Sequence, residues 1–303
     1  FLTILERRTD HLGLPATSGP RQCMHRVRAK QGILATGAFE RPLVFAHNDI
    51  PGVMQASSVS TYINRFDVVP GKNLVLATNN DNAYRTVIDW HRTGRNVVAV
   101  VDSRTAPSGS LVQEVRALGI QLLDGCGVIE AKGRKRVKSA LIARLNQEGT
   151  KVVGSVNSLA CDLIATSGGW SAAIHLSSHT GAKPLWDDEI VSFRPGASKL
   201  QERSVGACKG TFGIFDGLAE GSTAGSEAAK LAGFGNGMAK RPIPLVNQVI
   251  EQPQQSLFLV PHTKPTSRAP SQFVDFQLDV SAGGIELAVL EGFESVEHVK
   301  RYT

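Results

Sequence analysis

The run Ile33-Leu-Ala-Thr-Gly-Ala-Phe-Glu-Arg-Pro42 sets an apolar strand against an Ala35-Thr36-Gly37 turn, then a charged pair and a proline. Ile33 and Leu34 read as the end of a buried strand, Gly37 as a sharp turn that brings no Cβ toward a ligand, and Pro42 as a stop to regular pairing. A plain strand-to-loop turn has the same letters, so the repeat of the pattern matters. Asp162-Leu-Ile-Ala-Thr-Ser-Gly-Gly-Trp170 carries it again and puts Gly168 and Gly169 at a second strand end. A third glycine-rich stretch, from Gly206 through Gly210 to Gly221, leads into a small-residue helix expected over 222–231. Ala35, Thr36, Gly37, Gly168, Gly169, Gly206 and Gly210 are therefore the expected cofactor contacts, by backbone approach. In the third stretch, close packing against a neighbouring helix explains the small residues equally well.

No general base, nucleophile or metal-ligand set stands out, which suits a protein that orients a cofactor whose own chemistry does the work. His175 and His179 are four apart, but no HExxH glutamate or third ligand accompanies them. The four cysteines, Cys23, Cys126, Cys161 and Cys208, form no CxxC, which argues against a disulfide framework, a redox dithiol or an iron–sulfur motif and fits a reducing cytoplasm.

The elements that must position these turns are of α/β type. Leu2–Leu5 and His25–Lys30 read as strands with a Gly/Pro-containing connection between them, and 53–66 has helical spacing closed by Pro70-Gly71. Lys72–Ala77, a helix over 83–92 and Asn96–Asp102 make a βαβ unit with parallel strands. Asp102 then ends the second strand, where such folds hold an adenosine ribose. The loop between, Ala77-Thr-Asn-Asn-Asp-Asn-Ala83, has no glycine and carries Asp81, so this unit reads as a degenerate copy. Asp81 or Asn82 is expected to cap the helix. A helix over 111–118, a strand at 120–123 and antiparallel strands over 128–159 follow, and residues 161–166 return the chain to an outer domain. Beyond Lys240, closely spaced prolines mark a linker or an arm lying over a surface, before two short helices capped by Ser281 and Ser295.

The expected fold is thus a two-dinucleotide-binding-domain flavoprotein fold of the disulfide-reductase kind, with an inserted second Rossmann-like domain and a small C-terminal helical domain. Its boundaries are 1–69 for the rear of the outer domain, 70–160 for the insertion, 161–240 for the return and 241–303 for the linker and tail. The net charge of +6 is sharpest at Lys132, Arg134, Lys135, Arg136 and Lys138, which apolar alternation on both sides marks as a solvated hairpin turn. No aromatic residue interleaves there, so nucleic acid is not an expected partner. No run reaches the roughly 18 apolar residues of a membrane helix, and no membrane partner is expected.

Five separated segments, Arg26–Phe45, Asn48–Met54, Thr78–Asp81, Ser167–Trp170 and Val274–Thr303, together resemble the α subunits of heterotetrameric sarcosine oxidases. The resemblance implies a fragment: a glycine-rich dinucleotide loop would precede Phe1, and an aminomethyltransferase-like domain would follow Thr303. It also implies NAD in the outer dinucleotide domain, FMN shared with a β subunit, and FAD on that partner or as an alternative occupant. Smaller subunits complete the assembly, and the small-molecule amine substrate is met through the partner. Phe39 and Lys209 depart from what relatives are expected to carry. The tail is similar to small [2Fe–2S] domains of related amine oxidoreductases, but Asp275 and Gln277 stand where a Cys-x-Cys is expected, so the scaffold is expected without an iron–sulfur cluster.

Overall fold

A computed structural model describes residues 1–12, 19–235, 242–246 and 249–303. Parts of the expected connection after Gly13 and of the linker after Lys240 lie outside the described residues. Two compact units form: Phe1–Gly37, Ala173–Leu185 and Arg194–Val246 make the first, and Ala38–Ala172, Trp186–Phe193 and Asn247–Thr303 the second.

Along the chain, β1 (Leu2–Arg7) and β2 (Gln22–Val27) pair as an antiparallel hairpin, and β3 (Gly32–Leu34) ends just before the Ala35–Gly37 turn. β4 (Ala38–Glu40) opens the second unit, and β5 (Val53–Gln55) runs straight into α1 (Ala56–Phe66). The helical spacing of 53–66 is thus only partly realised. Val53, Met54 and Gln55 extend because they pair in parallel with Ile164, Ala165 and Thr166, and tertiary pairing overrides the local period. β6 (Asn73–Thr78), α2 (Tyr84–Arg92), β7 (Asn96–Asp102), α3 (Ser110–Ala117) and β8 (Leu122–Asp124) follow, with β6 and β7 parallel as the βαβ spacing predicts. β9 (Cys126–Gly133), β10 (Val137–Leu145) and β11 (Val152–Ala160) form an antiparallel sheet, and the basic cluster surrounds the β9–β10 turn. β12 (Leu163–Ser167) and β13 (Trp170–Ala172) complete this stretch.

The chain then gives α4 (His175–His179), the short strands β14 (Leu185–Asp187) and β15 (Ser192–Arg194), β16 (Glu202–Ser204) and α5 (Ile214–Leu231). The tail carries β17 (Phe273–Asp275), β18 (Val280–Ser281), α6 (Ala282–Leu290) and α7 (Val296–Tyr302). α5 begins eight residues earlier than the small-residue run suggests. Gly217 and Gly221 are drawn into it, although each glycine costs a helix about 1 kcal/mol relative to alanine.

In the second unit a five-stranded parallel sheet runs in the order β5-β12-β6-β7-β8. Alternate residues of its strands serve two separate cores, as the two-residue period of a strand requires. Leu74, Leu76, Val100, Leu163 and Ala165 pack against Tyr84, Val87 and Trp90 of α2 and Val112 and Val115 of α3. Val75, Ala77, Val101 and Ile164 face the other way, onto Val128, Ile129, Ala140 and Ile142 of the antiparallel sheet and onto Phe45. The order of layers is helices, parallel sheet, antiparallel sheet.

The boundaries drawn from sequence at 69/70 and 160/161 differ from those of the structure, where the chain changes units at Gly37/Ala38 and Ala172/Ala173. β12, read as the return to the outer domain, lies between β5 and β6 because its fully buried Leu163–Ser167 run matches both neighbours in parallel register. The tail from Asn247 also belongs to the second unit.

Candidate nucleotide-binding site

In the first unit β3 pairs in parallel with β16, Gly32–Leu34 against Glu202–Ser204, so both strands end on the same side. That pairing brings the Ala35–Gly37 turn beside the Gly206–Gly210 turn. Val205 N donates to Leu34 O at 2.9 Å, and the Cys208 thiol reaches the same carbonyl at 3.2 Å. Thr36 Oγ1 donates to Ala173 O at 2.7 Å, and Ala173 N donates to Gly37 O at 2.9 Å, which fixes the turn on both sides. Gly37 has φ +75° and Gly206 φ +68°, and a Cβ built on either meets nothing within 4 Å. Both glycines are therefore required by backbone conformation, with open space beyond them. Ile33 is exposed, in contrast to the buried strand expected, because this pair has no further strand on it among the described residues.

Gly210, also at positive φ, closes the 3-10 turn Gly206–Lys209, and Gly213 then caps α5. Glu220 on α5 organises the turn from below. Its carboxylate accepts from Gly206 N at 2.8 Å, Lys209 Nζ at 3.0 Å and Thr211 Oγ1 at 3.0 Å. Burial pushes the Glu220 carboxyl up, but these donors outweigh it and hold it below the ordinary carboxylate value. Lys209, a departure from the expected pattern, is thus employed in holding Glu220. A cleft of ≈ 730 Å³ lies between β16 and α5 and takes in Ser204, Lys209, Glu220 and Thr223. The Ala35–Gly37 turn is not part of its lining.

Gly168 and Gly169 belong to the second unit, so the seven expected contacts do not form one cluster there or in the first. A Cβ on Gly168 would stand 3.1 Å from Pro42 O, and one on Gly169 would collide with the Gln254 amide. These glycines admit other parts of the protein. Arg41 donates to Gly168 O at 3.1 Å and to Val191 O, and its guanidinium lies 5.1 Å from the Phe258 ring centroid. Burial lowers its basicity. Glu40 accepts from Ser57 N at 2.9 Å at the start of α1, where the helix dipole favours a carboxylate. The charged pair Glu40-Arg41 therefore braces the fold.

The strand ends of the βαβ unit are closed. Asp102 is fully buried, accepts from Tyr84 Oη at 2.8 Å and pairs with Arg104 Nη2 at 2.7 Å. Arg104 Nη2 also lies 2.7 Å from Asp81 Oδ1. The expected ribose contact is consumed by these neighbours. No side-chain hydrogen bond caps α2: Asn80 Oδ1 accepts from Ala83 N at 3.2 Å in the turn before it, and Asp81, one of the two caps expected, is drawn into the Arg104 pair. Arg104, two residues past the strand end, was the detectable signal: a cation there neutralises the acid. His175 and His179 lie on a helix of only five residues, and no group of three potential ligands occurs among the described residues.

Along its whole length the chain is 34% identical to the sarcosine oxidase subunit alpha of Corynebacterium sp. (strain P-1), of which it covers 31%. Over 99% of its length it is 35% identical to that of Rhizobium meliloti (strain 1021), of which it covers 28%. The chain is a homologue of the sarcosine oxidase α subunit. It spans about a third of the length of these relatives. Residues 269–303 match the family described as the sarcosine oxidase A3 domain. Among solved structures, L-proline dehydrogenase from P. horikoshii is similar at a TM-score of 0.61 and 17% identity, over 91% of this chain and 49% of that one. A thioredoxin reductase from Lactococcus lactis is similar at 0.51 and 18% identity, over 70% and 67%. The fold is the one these two oxidoreductases share.

In this sarcosine oxidase α-subunit homologue the two strand-end regions fit a nucleotide differently. The first unit offers free space at two positive-φ glycines, and the second offers a buried ion-pair network. In the A3 region Asp275 Oδ1 accepts from Gln277 N at 2.7 Å and from Leu278 N at 3.3 Å, so the two positions where thiolates were expected form a turn. Ser281 caps α6 through Gly284 N at 3.1 Å, whereas Ser295 stands at the cap of α7 without a side-chain bond. No helix among the described residues is long and apolar enough to cross a membrane.

Proposed function

We propose that this chain is the nucleotide-binding portion of the α subunit of a cytoplasmic sarcosine oxidase-like flavoenzyme, and that the first unit holds NAD at the β3 and β16 ends. The observation that carries the reading is the full-length alignment with sarcosine oxidase α subunits. The open glycine turns at Gly37 and Gly206 support it, because ligands of open α/β folds lie beyond the carboxyl ends of parallel strands. Thr36, anchored to Ala173, fixes one turn, and Glu220 fixes the other through the Gly206 amide. These side chains orient the backbone that meets the nucleotide and are positioning residues.

In the complete enzyme, FMN shared with a β subunit and FAD on that partner supply the redox chemistry. The reaction is oxidation of sarcosine to glycine with formation of hydrogen peroxide, the one-carbon unit passing to tetrahydrofolate. The tail supplies an A3 scaffold without an iron–sulfur cluster, since neither Asp275 nor Gln277 can provide thiolate. Co-expression of the full-length subunit with its partners, followed by extraction of nucleotides and assay of sarcosine-dependent peroxide, tests the reading. NAD and FMN in the purified complex are expected; absence of both would overturn it.

A further inference from the structure

Residues 249–257, in the proline-rich part of the tail, run across the strand ends of the inserted βαβ unit. Their contacts are mostly backbone hydrogen bonds to the two loops that would flank a dinucleotide. On the β6–α2 loop, Gln252 N donates to Asp81 Oδ2 at 2.8 Å and Gln255 N to Asn79 O at 3.1 Å, while Asn79 Nδ2 donates back to Gln255 O at 2.8 Å. On the β7–α3 loop, Ser110 N donates to Ile250 O at 3.0 Å and Ser108 N to Gln252 Oε1 at 2.9 Å. Gly109 is the point of closest approach. A Cβ there would fall on the Asp81 carboxylate and stand 3.0 Å from Ile250 O. Its φ of −61° suits any residue, so the glycine is needed for room alone.

Each group that a dinucleotide would use is spent on the protein itself. The acid at the end of β7 holds Tyr84 and Arg104, the loop before α2 presents a carboxylate where phosphate would sit, and the one glycine of the second loop admits the strap. We propose that residues 249–257 are the resident occupant of this crevice. The strap stands where a dinucleotide lies in the Rossmann arrangement, it is not exchanged for one, and the inserted domain contributes no dinucleotide to the holoenzyme. A peptide suits the place because it brings the donors and acceptors these loops need without the phosphate charge that Asp81 opposes. The part of this inference that counts cofactors rests on NAD binding in the first unit; the occupancy by the strap does not.

Hydrogen–deuterium exchange on the intact complex, with and without saturating NAD, tests it. The amides of Gln252 and Gln255 are expected to be protected and to exchange at the same rate in both states, with one NAD bound per α subunit by equilibrium dialysis. Gly109→Ala is expected to speed exchange at these two amides by about tenfold or more. Should that variant fail to fold, Gln252→Pro removes the donor to Asp81 and is expected to speed exchange at Gln255. Faster exchange of the wild-type strap on adding NAD, a second bound equivalent, or no response to either substitution would overturn the proposal. Failure of the complex to bind any NAD would instead overturn the nucleotide reading of the first unit, leaving the strap to be decided by the two variants.

Discussion

The strand ends of the two units share a ground plan and differ in what occupies it. At the β3 and β16 ends, Gly37 and Gly206 turn in the left-handed region and face nothing within 4 Å of a built Cβ. In the second unit, Gly109 beyond β7 is hemmed in by Asp81 and Ile250, and Gly169 beyond β12 by Gln254. A glycine at a strand end therefore does not by itself mark a cofactor. What distinguishes the two cases is whether open space or the protein's own chain stands where its side chain would be.

The largest effect is expected from breaking the network under the strap. Arg104→Met leaves Asp81 and Asp102 buried without their cation and should cost about 3–5 kcal/mol in urea denaturation. The corresponding change in the first unit, Lys209→Met, removes a half-exposed pair with Glu220 and should cost about 0–1 kcal/mol. Equal costs would erase the distinction between a filled and an open strand end.

Gly206→Val acts at the open strand end. A β-branched residue at φ +68° is strained and projects into the free space, so NAD affinity of the complex should fall about tenfold, near 1.4 kcal/mol, as read by calorimetry. Gly37→Ala is the control for strain alone at φ +75°, with about 1 kcal/mol lost from stability.

The smallest effects are expected from pH, with opposite signs. Burial raises the Glu40 carboxyl above its ordinary 4.5, against the Ser57 hydrogen bonds, so its contribution is fully present below 4.5 and is lost as pH rises through the higher folded value. Glu220 is held below 4.5, so its contribution is present above that value and lost as pH falls through the lower one. Urea midpoints measured across the acid range should flatten on the rising side in Glu40→Gln and on the falling side in Glu220→Gln.

Much of this was legible from local pattern. Asn73–Thr78, Tyr84–Arg92 and Asn96–Asp102 follow their apolar periods, and β9 to β11 follow their alternation, because burial on one or two faces dictates those periods. Non-local pairing was not legible. Leu163–Ala165 is apolar on both faces and carries no signal of which sheet will take it, and Val53–Gln55 extends only because β12 lies beside it. At the site, the turns at Gly37 and Gly206 were visible, but Gly168 and Gly169 share the same letters and admit Arg41 and Gln254 instead. The strap was invisible because it is recognised through its backbone, which every sequence has.

The β3–β16 pairing also bears on the order of folding. Gln31 and Gln201, whose side chains meet at the margin of this two-stranded sheet, are 170 positions apart, and all five strands of the parallel sheet are threaded between them. Closing so long a loop in an unstructured chain is entropically costly, and the reward is only three paired residues on each strand. Prior folding of the intervening sheet shortens the effective loop, so the Gly37 and Gly206 turns should gain protection after that sheet does.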